Sequence, residues 1–305
     1  MIHFNIPDPK KPRVIINSDA KNEVDDQFAL VHAFLTESFD LRGIISAHFG
    51  TEKSPHSEED SFQEIQLLIR LMGLKDHPPV FHGAVSAMPD ETTPVDSEGA
   101  RLIIEEAMKD DERPLYIAFL GPLTDMASAL LLEPEIARKN IKVIWIGGGN
   151  WPCGSTEYNL HNDIASANCI FKSSLEVWQI PRPVYRMMPV SFTELYQKVY
   201  PQGEIGRYLC QNVIDHNNEL IRQPAEYRVL GDSPAIGVML YENCGEWEWR
   251  PAPEFDKEMR YVHTGQNRPI RVYKNIDSRF ILEDFYAKLA QFAKEDAPPA
   301  NGAGA

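Results

Sequence analysis

The densest group of residues that could do chemistry lies near the start of the chain, directly after a short β-branched run. Between Asp19 and Asp26 there are three aspartates and a glutamate within eight residues. Carboxylates this close repel one another, so a cation or bound protons must compensate them. One aspartate here would be explained as a helix cap. Four carboxylates instead favour a hard cation such as Ca²⁺ or Mg²⁺, which takes several oxygen ligands.

Other polar groups follow later apolar runs of the chain. Leu120 ends one run and could offer its backbone carbonyl, and a triple glycine follows the next run. Beyond these lie four further candidates, which are Glu157, Asn159, His161 and Asp232. Taken singly, each has a structural explanation as a turn, a loop residue or a helix cap. Taken together, they predict a crevice lined with oxygen ligands.

The elements that must position these residues alternate between strand-like and helix-like periodicity. The predicted strands are 14–16, 41–46, 80–81, 115–120, 143–146 and 184–185. The predicted helices between them are 28–31, 62–72, 100–108, 126–132 and 166–174. This order, with strands that are continuously apolar, predicts an α/β fold with an open, mostly parallel, doubly wound sheet flanked by helices. In such a sheet the ligand crevice lies beyond the carboxyl ends of the strands.

The carboxyl-terminal part of the chain has a mainly helical pattern. Segments 203–216 and 278–293 are the clearest helices, and a short strand pair is expected between 259–264 and 270–273. We expect a single domain over residues 1–295. The low-complexity segment 296–305 is expected to be a flexible tail.

Composition limits the classes of partner. The 305 residues carry a formal net charge of −15, which disfavours nucleic acid and anionic membranes because both need clustered cations. The sequence contains neither a signal-peptide pattern nor an apolar stretch of membrane-spanning length. Its four cysteines are widely spaced and read as free thiols, so we expect a cytoplasmic protein.

In their order along the chain, these motifs resemble the nucleoside hydrolase family, the inosine–uridine-preferring N-ribohydrolases. The family motif D-x-D-P-G-x-D-D is matched by Asp19 and Asp25-Asp26, with two extra residues between them, as in a divergent bacterial branch. Segment 121–125 is similar to T-G-P-L-T-N, and 146–149 is similar to M-G-G-G. Segment 157–163 is similar to E-F-N-x-x-x-D, and Asp232 matches the aspartate of a late H-D pair.

The resemblance implies a Ca²⁺-dependent hydrolase that cleaves the N-glycosidic bond of a nucleoside or related ribosyl compound. It implies that the ion is held by Asp19, Asp26, the Leu120 carbonyl and Asp232. The residues that it implies for sugar binding are Asp25, Glu157 and Asn159, with Asn22 as a further candidate in the same loop. The cation would acidify a water, and Asp19 would accept its proton as general base. A homodimer or homotetramer is also implied.

The sequence departs from the family where the leaving group would bind. Gly231 stands at the position of the family's histidine, and Gly50 or Thr51 stands at the position of an asparagine after the second strand. His161 is the first candidate for a replacement proton donor. One alternative is therefore a non-catalytic calcium- and sugar-binding protein on the same fold. A phosphotransferase of the haloacid dehalogenase type is disfavoured, because Lys21 breaks its D-x-D motif.

Overall fold

The protein is built around an eight-stranded sheet. The computed structural model describes residues 6–219 and 225–295. The spatial order of the strands is β3-β2-β1-β4-β5-β6-β12-β9. Its members are β1 (Arg13–Ser18), β2 (Asp40–Ser46), β3 (Val80–His82), β4 (Leu115–Phe119), β5 (Ile141–Ile146), β6 (Glu176–Ile180), β9 (Trp247–Pro251) and β12 (Pro269–Tyr273). All neighbours in this sheet pair in parallel except β9, which is antiparallel to β12.

Helices cover both faces of this sheet. They are α1 (Asp26–Phe34), α2 (Ser57–Leu71), α3 (Glu98–Met108), α4 (Thr124–Leu132), α5 (Tyr158–Asn162), α6 (Ile164–Lys172), α7 (Arg182–Tyr185), α8 (Phe192–Lys198), α9 (Gly203–Glu219), α10 (Ser233–Leu240) and α11 (Ser278–Glu295). Among the described helices, none combines the length and the apolar character that a bilayer crossing requires.

The strand β1 shows why the sheet is buried on both sides. Val14 and Ile16 belong to one apolar cluster, which contains residues of α1, α2 and α11. Ile15 points to the opposite face and joins a second cluster, which contains residues of α3, α4 and α6. Because successive side chains of a strand alternate between faces, an uninterrupted apolar run fits a sheet covered on both sides. The predicted doubly wound α/β architecture and the carboxyl-terminal helix are thus confirmed.

Two of the predicted strand assignments are wrong. Segment 184–185 lies in the short helix α7, because Pro183 fits the first turn of a helix and cannot donate to a sheet ladder. The strand at this point is β6, which the sequence analysis missed.

The predicted pairing of 259–264 with 270–273 is also wrong. Strand β11 (Tyr261–Val262) pairs with β10 (Glu254–Phe255), whereas β12 inserts between β6 and β9 of the large sheet. Strand partners depend on tertiary packing, which short apolar runs do not encode. A second small sheet joins β7 (Pro189–Ser191) to β8 (Tyr227–Val229). The expected tail at 296–305 lies outside the described residues, and the single domain over 1–295 stays a prediction.

Candidate active site

A small cavity, which we call the inner cavity, lies at the carboxyl ends of β1, β4 and β5 and has a volume of about 70 Å³. One water-sized sphere needs roughly 10–15 Å³ on this measure, so the inner cavity has room for a few atoms beyond an ion. Its lining includes every predicted metal and sugar residue, namely Asp19, Asn22, Asp25, Asp26, Leu120, Glu157, Asn159 and Asp232. His161 is the one predicted site residue that is not among them.

Three carboxylates converge on one point of the inner cavity. Oxygen atoms of Asp25, Asp26 and Asp232 all lie within 4.8 Å of one another. Asp25 and Asp26 stand at the start of α1, and Asp232 immediately precedes α10. The Asp26 carboxylate accepts a hydrogen bond of 2.6 Å from Ser18 at the end of β1. Residues more than 200 positions apart are therefore joined because two helices start at the same edge of the sheet.

Burial favours the protonated form of these carboxyl groups when no cation is bound. Burial, together with repulsion from Glu23, raises the pKa of Asp25 to about 8. Burial raises the pKa of Asp26 to about 6. For Asp232, burial and the charges of Asp25 and Asp26 raise the pKa well above its usual range. A cation would remove this penalty, because it compensates several carboxylates at once.

Asp19 is held in place on the wall beside this cluster. Its carboxylate accepts a hydrogen bond of 2.9 Å from the Asn22 amide. The Lys53 ammonium in turn donates to the side-chain and main-chain oxygens of Asn22, at 2.7 and 2.9 Å. Gly121 lies so close that a β-carbon there would be 2.8 Å from an Asp19 carboxylate oxygen, so only glycine fits without displacement. Burial and the charge of Asp26 raise the pKa of Asp19 well above its usual range.

Asn159 ties together the ends of two central strands. Its amide nitrogen donates to the carbonyls of Leu120 and Ile146, at 2.5 and 2.8 Å. A carbonyl oxygen has two lone pairs, so the Leu120 carbonyl keeps one for a further partner. That carbonyl remains a candidate cation ligand.

Glu157 is oriented by four donors. Its carboxylate accepts hydrogen bonds from the main-chain N–H groups of Gly148, Asn159 and Leu160 and from the Tyr185 hydroxyl. Burial raises the pKa of Glu157, although these hydrogen bonds oppose the shift. The carboxylate is thereby fixed at the boundary of the inner cavity.

A wider space, the outer pocket, opens above the inner cavity and has a volume of about 610 Å³. Six residues line both the inner cavity and the outer pocket, namely Glu23, Asp25, Glu157, Tyr158, Tyr185 and Gly231. His161 lines the outer pocket, where its side chain is 52% exposed and Nε2 lies 3.7 Å from a Glu52 oxygen. His48, which follows β2, is buried elsewhere and hydrogen-bonded to Thr124.

The surroundings of Gly231 leave little space for a side chain at this position. Its N–H donates to the Asp25 carboxylate at 2.8 Å. A β-carbon on Gly231 would lie 3.0 Å from the Tyr185 ring and 3.1 Å from an Asp25 oxygen. The ring of Tyr185 therefore fills the space that a side chain at position 231 would need.

Two residues of the site were missed by the sequence analysis. Lys53 lies in a loop between β2 and α2 and has no motif around it. Tyr185 was placed in a strand rather than beside the cavity. Neither has a local sequence signal, because each reaches the site only through long-range contacts.

Two other polar features lie outside the crevice. A groove of about 930 Å³ runs along the amino ends of the strands, and there Arg113 is already paired with Asp40 and Asp111. Glu58 lies near His82 in a second group of candidate ligands, but its carboxylate is bonded to that histidine and to a serine. The charged side chains named in these two features are already paired, so neither feature suggests a catalytic or binding role.

A buried carboxylate cluster at the carboxyl edge of an open α/β sheet is typical of enzymes that bind a cation and a small polar substrate there. The family model described as inosine-uridine preferring nucleoside hydrolase matches residues 14–272, and the chain belongs to this family. It is therefore a hydrolase of the nucleoside-hydrolase class, as the sequence analysis predicted.

Individual relatives are distant. A probable uridine nucleosidase 2 of Oryza sativa subsp. japonica is 23% identical over 225 residues, which cover 66% of each chain. Uridine nucleosidase 1 of Arabidopsis thaliana is 22% identical, over 76% of this chain and 74% of its own length. Among solved structures, a purine-preferring ribonucleoside hydrolase from Gardnerella vaginalis superposes with a TM-score of 0.77 at 19% identity, covering 93% of this chain and 99% of that one.

Proposed function

We propose that this protein cleaves the N-glycosidic bond of a nucleoside or related ribosyl compound with the help of Ca²⁺. One observation supports this most strongly: three carboxylates from two distant helices converge at the edge of a cavity that also presents Asp19, Glu157 and Asn159. This arrangement offers oxygen ligands to a hard cation and hydrogen-bonding groups to a polyol in one place.

The residues fit a calcium ion. The residues that would hold it are Asp19, Asp26, Leu120 through its carbonyl, and Asp232, all of which line the inner cavity. Asp25 belongs to the same converging group, so we place it between the cation and the sugar hydroxyls. All the donors are oxygen atoms, which suits Ca²⁺ and not a soft metal. When bound, such an ion supplies Lewis-acid chemistry and makes a neighbouring water more acidic.

Asp19 is the proposed general base. Its carboxylate is held by Asn22 and lines the inner cavity, so it can take a proton from a water that attacks the anomeric carbon. Glu157, Asn159 and Asp25 would bind the sugar hydroxyls, with Asn22 keeping the first loop in place. As the N-glycosidic bond to the leaving group breaks, positive charge develops on the sugar, and the surrounding carboxylates stabilise this charge electrostatically. The reaction is a direct displacement with no covalent enzyme intermediate.

His161 is the proposed proton donor to the leaving group. It lines the outer pocket, which adjoins the inner cavity where the sugar would bind, and position 231 carries no side chain that could serve instead. The half-exposed imidazole can exchange its proton with solvent between turnovers.

The test is an assay of released reducing sugar from a panel of purine and pyrimidine nucleosides, with Ca²⁺ and with chelator. Turnover that chelator abolishes and Ca²⁺ restores supports the proposal. A non-catalytic calcium- and sugar-binding protein is the second candidate, which the absence of a side chain at Gly231 favours. If ribose raises the melting temperature of the protein but no nucleoside is hydrolysed, the second function is established and the first is refuted.

We further propose that the substrate is a small molecule and that neither nucleic acid nor a membrane is a partner. The formal net charge of −15 supports this proposal. A cytoplasmic location and a homodimer or homotetramer are part of the same proposal. Light scattering of the purified protein tests the oligomeric state.

A further inference from the structure

The outer pocket is lined by arginines as well as by four carboxylates, which are Glu23, Asp25, Glu52 and Glu157. Three arginines line it, which are Arg182, Arg186 and Arg228. Its volume of about 610 Å³ lies within the roughly 300–1,000 Å³ typical of pockets for drug-sized ligands. It can therefore hold a heterocyclic base together with a substituent.

The acidic residues of the outer pocket are already engaged. Glu23 is paired with Arg228 at 2.5 Å, and Glu52 lies 3.7 Å from His161. Asp25 accepts from the N–H of Gly231. Glu157, as described above, has four donors. These acids thus have partners other than Arg182 and Arg186.

Arg182 and Arg186 are the two cations left uncompensated. One guanidinium nitrogen of Arg182 donates to the main-chain carbonyl of Thr156 at 3.0 Å. Across residues 6–219 and 225–295, neither arginine forms an ion pair with a carboxylate. Arg182 is the first residue of α7 and Arg186 directly follows its last residue, so one short helix brings both to the pocket. In a chain of net charge −15, two unpaired arginines on one pocket wall need an explanation.

We propose that Arg182 and Arg186 bind an oxyanion, a carboxylate or phosphate, that the substrate carries beyond its ribose ring. This inference rests on the proposed function, because it assigns the substrate class of the same site. Guanidinium groups keep their charge, and their paired N–H donors match two oxygens of a carboxylate or a phosphate. The carboxylates of the inner cavity would repel the oxyanion, which orients the substrate with its sugar inward and its anionic group outward.

Three ribosides that differ only in the anion test this proposal. Nicotinamide riboside carries no anion, nicotinic acid riboside carries a carboxylate on the ring, and nicotinamide mononucleotide carries a phosphate on the sugar. In all three the positively charged ring nitrogen becomes neutral when the glycosidic bond breaks, so the leaving group needs no proton donor. We expect kcat/KM to be about tenfold or more higher for one of the two anionic compounds than for nicotinamide riboside. The preferred compound identifies which end of the substrate carries the oxyanion.

Variants connect that preference to the two arginines. Among the described residues, the side chain of Arg186 forms no hydrogen bond or ion pair that its replacement would remove, so Arg186→Gln should reduce the preference to about threefold or less. The double variant Arg182→Gln/Arg186→Gln should abolish the preference. Arg207→Gln is the matched control, since this exposed arginine on α9 lies outside both cavities and should keep the full preference. Equal kcat/KM values for all three compounds, or a preference that survives the double substitution, would overturn the inference.

Failure of the proposed function gives a different result. In that case no riboside is hydrolysed, including ordinary nucleosides, whatever charge it carries. The three compounds can then be compared by how far each raises the melting temperature. Stronger protection by an anionic compound in the native protein, lost in Arg186→Gln, still supports the oxyanion site, and equal protection refutes it.

Discussion

The inner cavity and the outer pocket are adjacent but organised in opposite ways. In the inner cavity, buried carboxylates are fixed by hydrogen bonds from Ser18, Asn22 and main-chain N–H groups. In the outer pocket, His161 and Arg186 are exposed, and Arg182 and Arg186 form no ion pair with a carboxylate among the described residues. The difference suggests a division of labour. The fixed carboxylates of the inner cavity would serve the chemical step, because small displacements of reacting groups are costly there. The exposed side chains of the outer pocket would serve the choice of leaving group.

The largest effect is expected from removing the central carboxylate of the inner cavity. Asp26→Ala deletes the ligand that faces both Asp25 and Asp232, so the protein should lose its Ca²⁺ site. We expect kcat/KM to fall at least about a thousandfold, since a cation contributes several kcal/mol to transition-state stabilisation. Calorimetric titration with Ca²⁺ and the nucleoside assay measure the two effects.

Asp215→Ala, on the exposed surface of α9, is the control for Asp26→Ala. The assignment of the metal site is wrong if Asp26→Ala binds Ca²⁺ as tightly as the native protein does.

A somewhat smaller effect is expected at the general base. Asp19→Asn keeps the shape of the side chain but cannot accept the proton of the attacking water. At saturating Ca²⁺ we expect kcat to fall by roughly 10²–10⁴-fold, with little change in ribose affinity. A fall in ribose affinity as large as the fall in kcat would instead show that Asp19 only binds the sugar. Steady-state kinetics together with ribose titration separate the two roles.

His48 is buried like the carboxyl groups of the inner cavity, but both of its ring nitrogens have hydrogen-bond partners without a cation. Its Nε2–H donates to Thr124 at 2.9 Å, Thr124 donates to Asp163, and Nδ1 accepts from the N–H of Gly50. Burial lowers the pKa of His48 from 6.5 to about 4, so the folded state holds the ring neutral.

At His48 the unfolded chain therefore binds more protons between these values, so the contribution of His48 to the pH slope is a loss of about 3 kcal/mol of stability from above pH 6.5 to pH 4. The carboxyl groups of the inner cavity, whose pKa values are raised, contribute a slope of opposite sign. His48→Gln should remove the loss due to His48. Buried His32, whose pKa is also lowered by burial, should contribute a loss of the same sign. Denaturant titrations across this pH range, with exposed His77→Gln as control, measure the slopes. An unchanged slope in His48→Gln would contradict the argument.

The smallest effect is expected at the junction of the two regions. Gly231→His should destabilise the protein by about 1–3 kcal/mol, because the new side chain collides with the Tyr185 ring. Adding Tyr185→Ala should recover part of this loss, since the two residues compete for one space. Thermal unfolding of the single and double variants tests this. If the two effects simply add, Tyr185 is not what excludes a side chain at 231.

Much of the inner cavity could be predicted from the sequence. Asp19, Asp25 and Asp26 follow the first strand, and Leu120 follows another central strand, so the carboxyl-edge rule placed them correctly. Asp232 was a candidate from its position along the chain, but only the resemblance to a known family assigned it to the same cation as residues 200 positions earlier. The outer pocket was hardly predicted, and Tyr185 was assigned to the wrong kind of element.

The sequence by itself determined the α/β fold, the family and the acidic residues of the site. These depend on local features, namely apolar periodicity, strand ends and short motifs, that are written in consecutive residues. Only the tertiary structure decided which carboxylates meet at one point, that Lys53 supports Asn22, and that Tyr185 occupies the space above Gly231. Those contacts join distant segments, and their geometry follows from how helices and loops pack on the sheet.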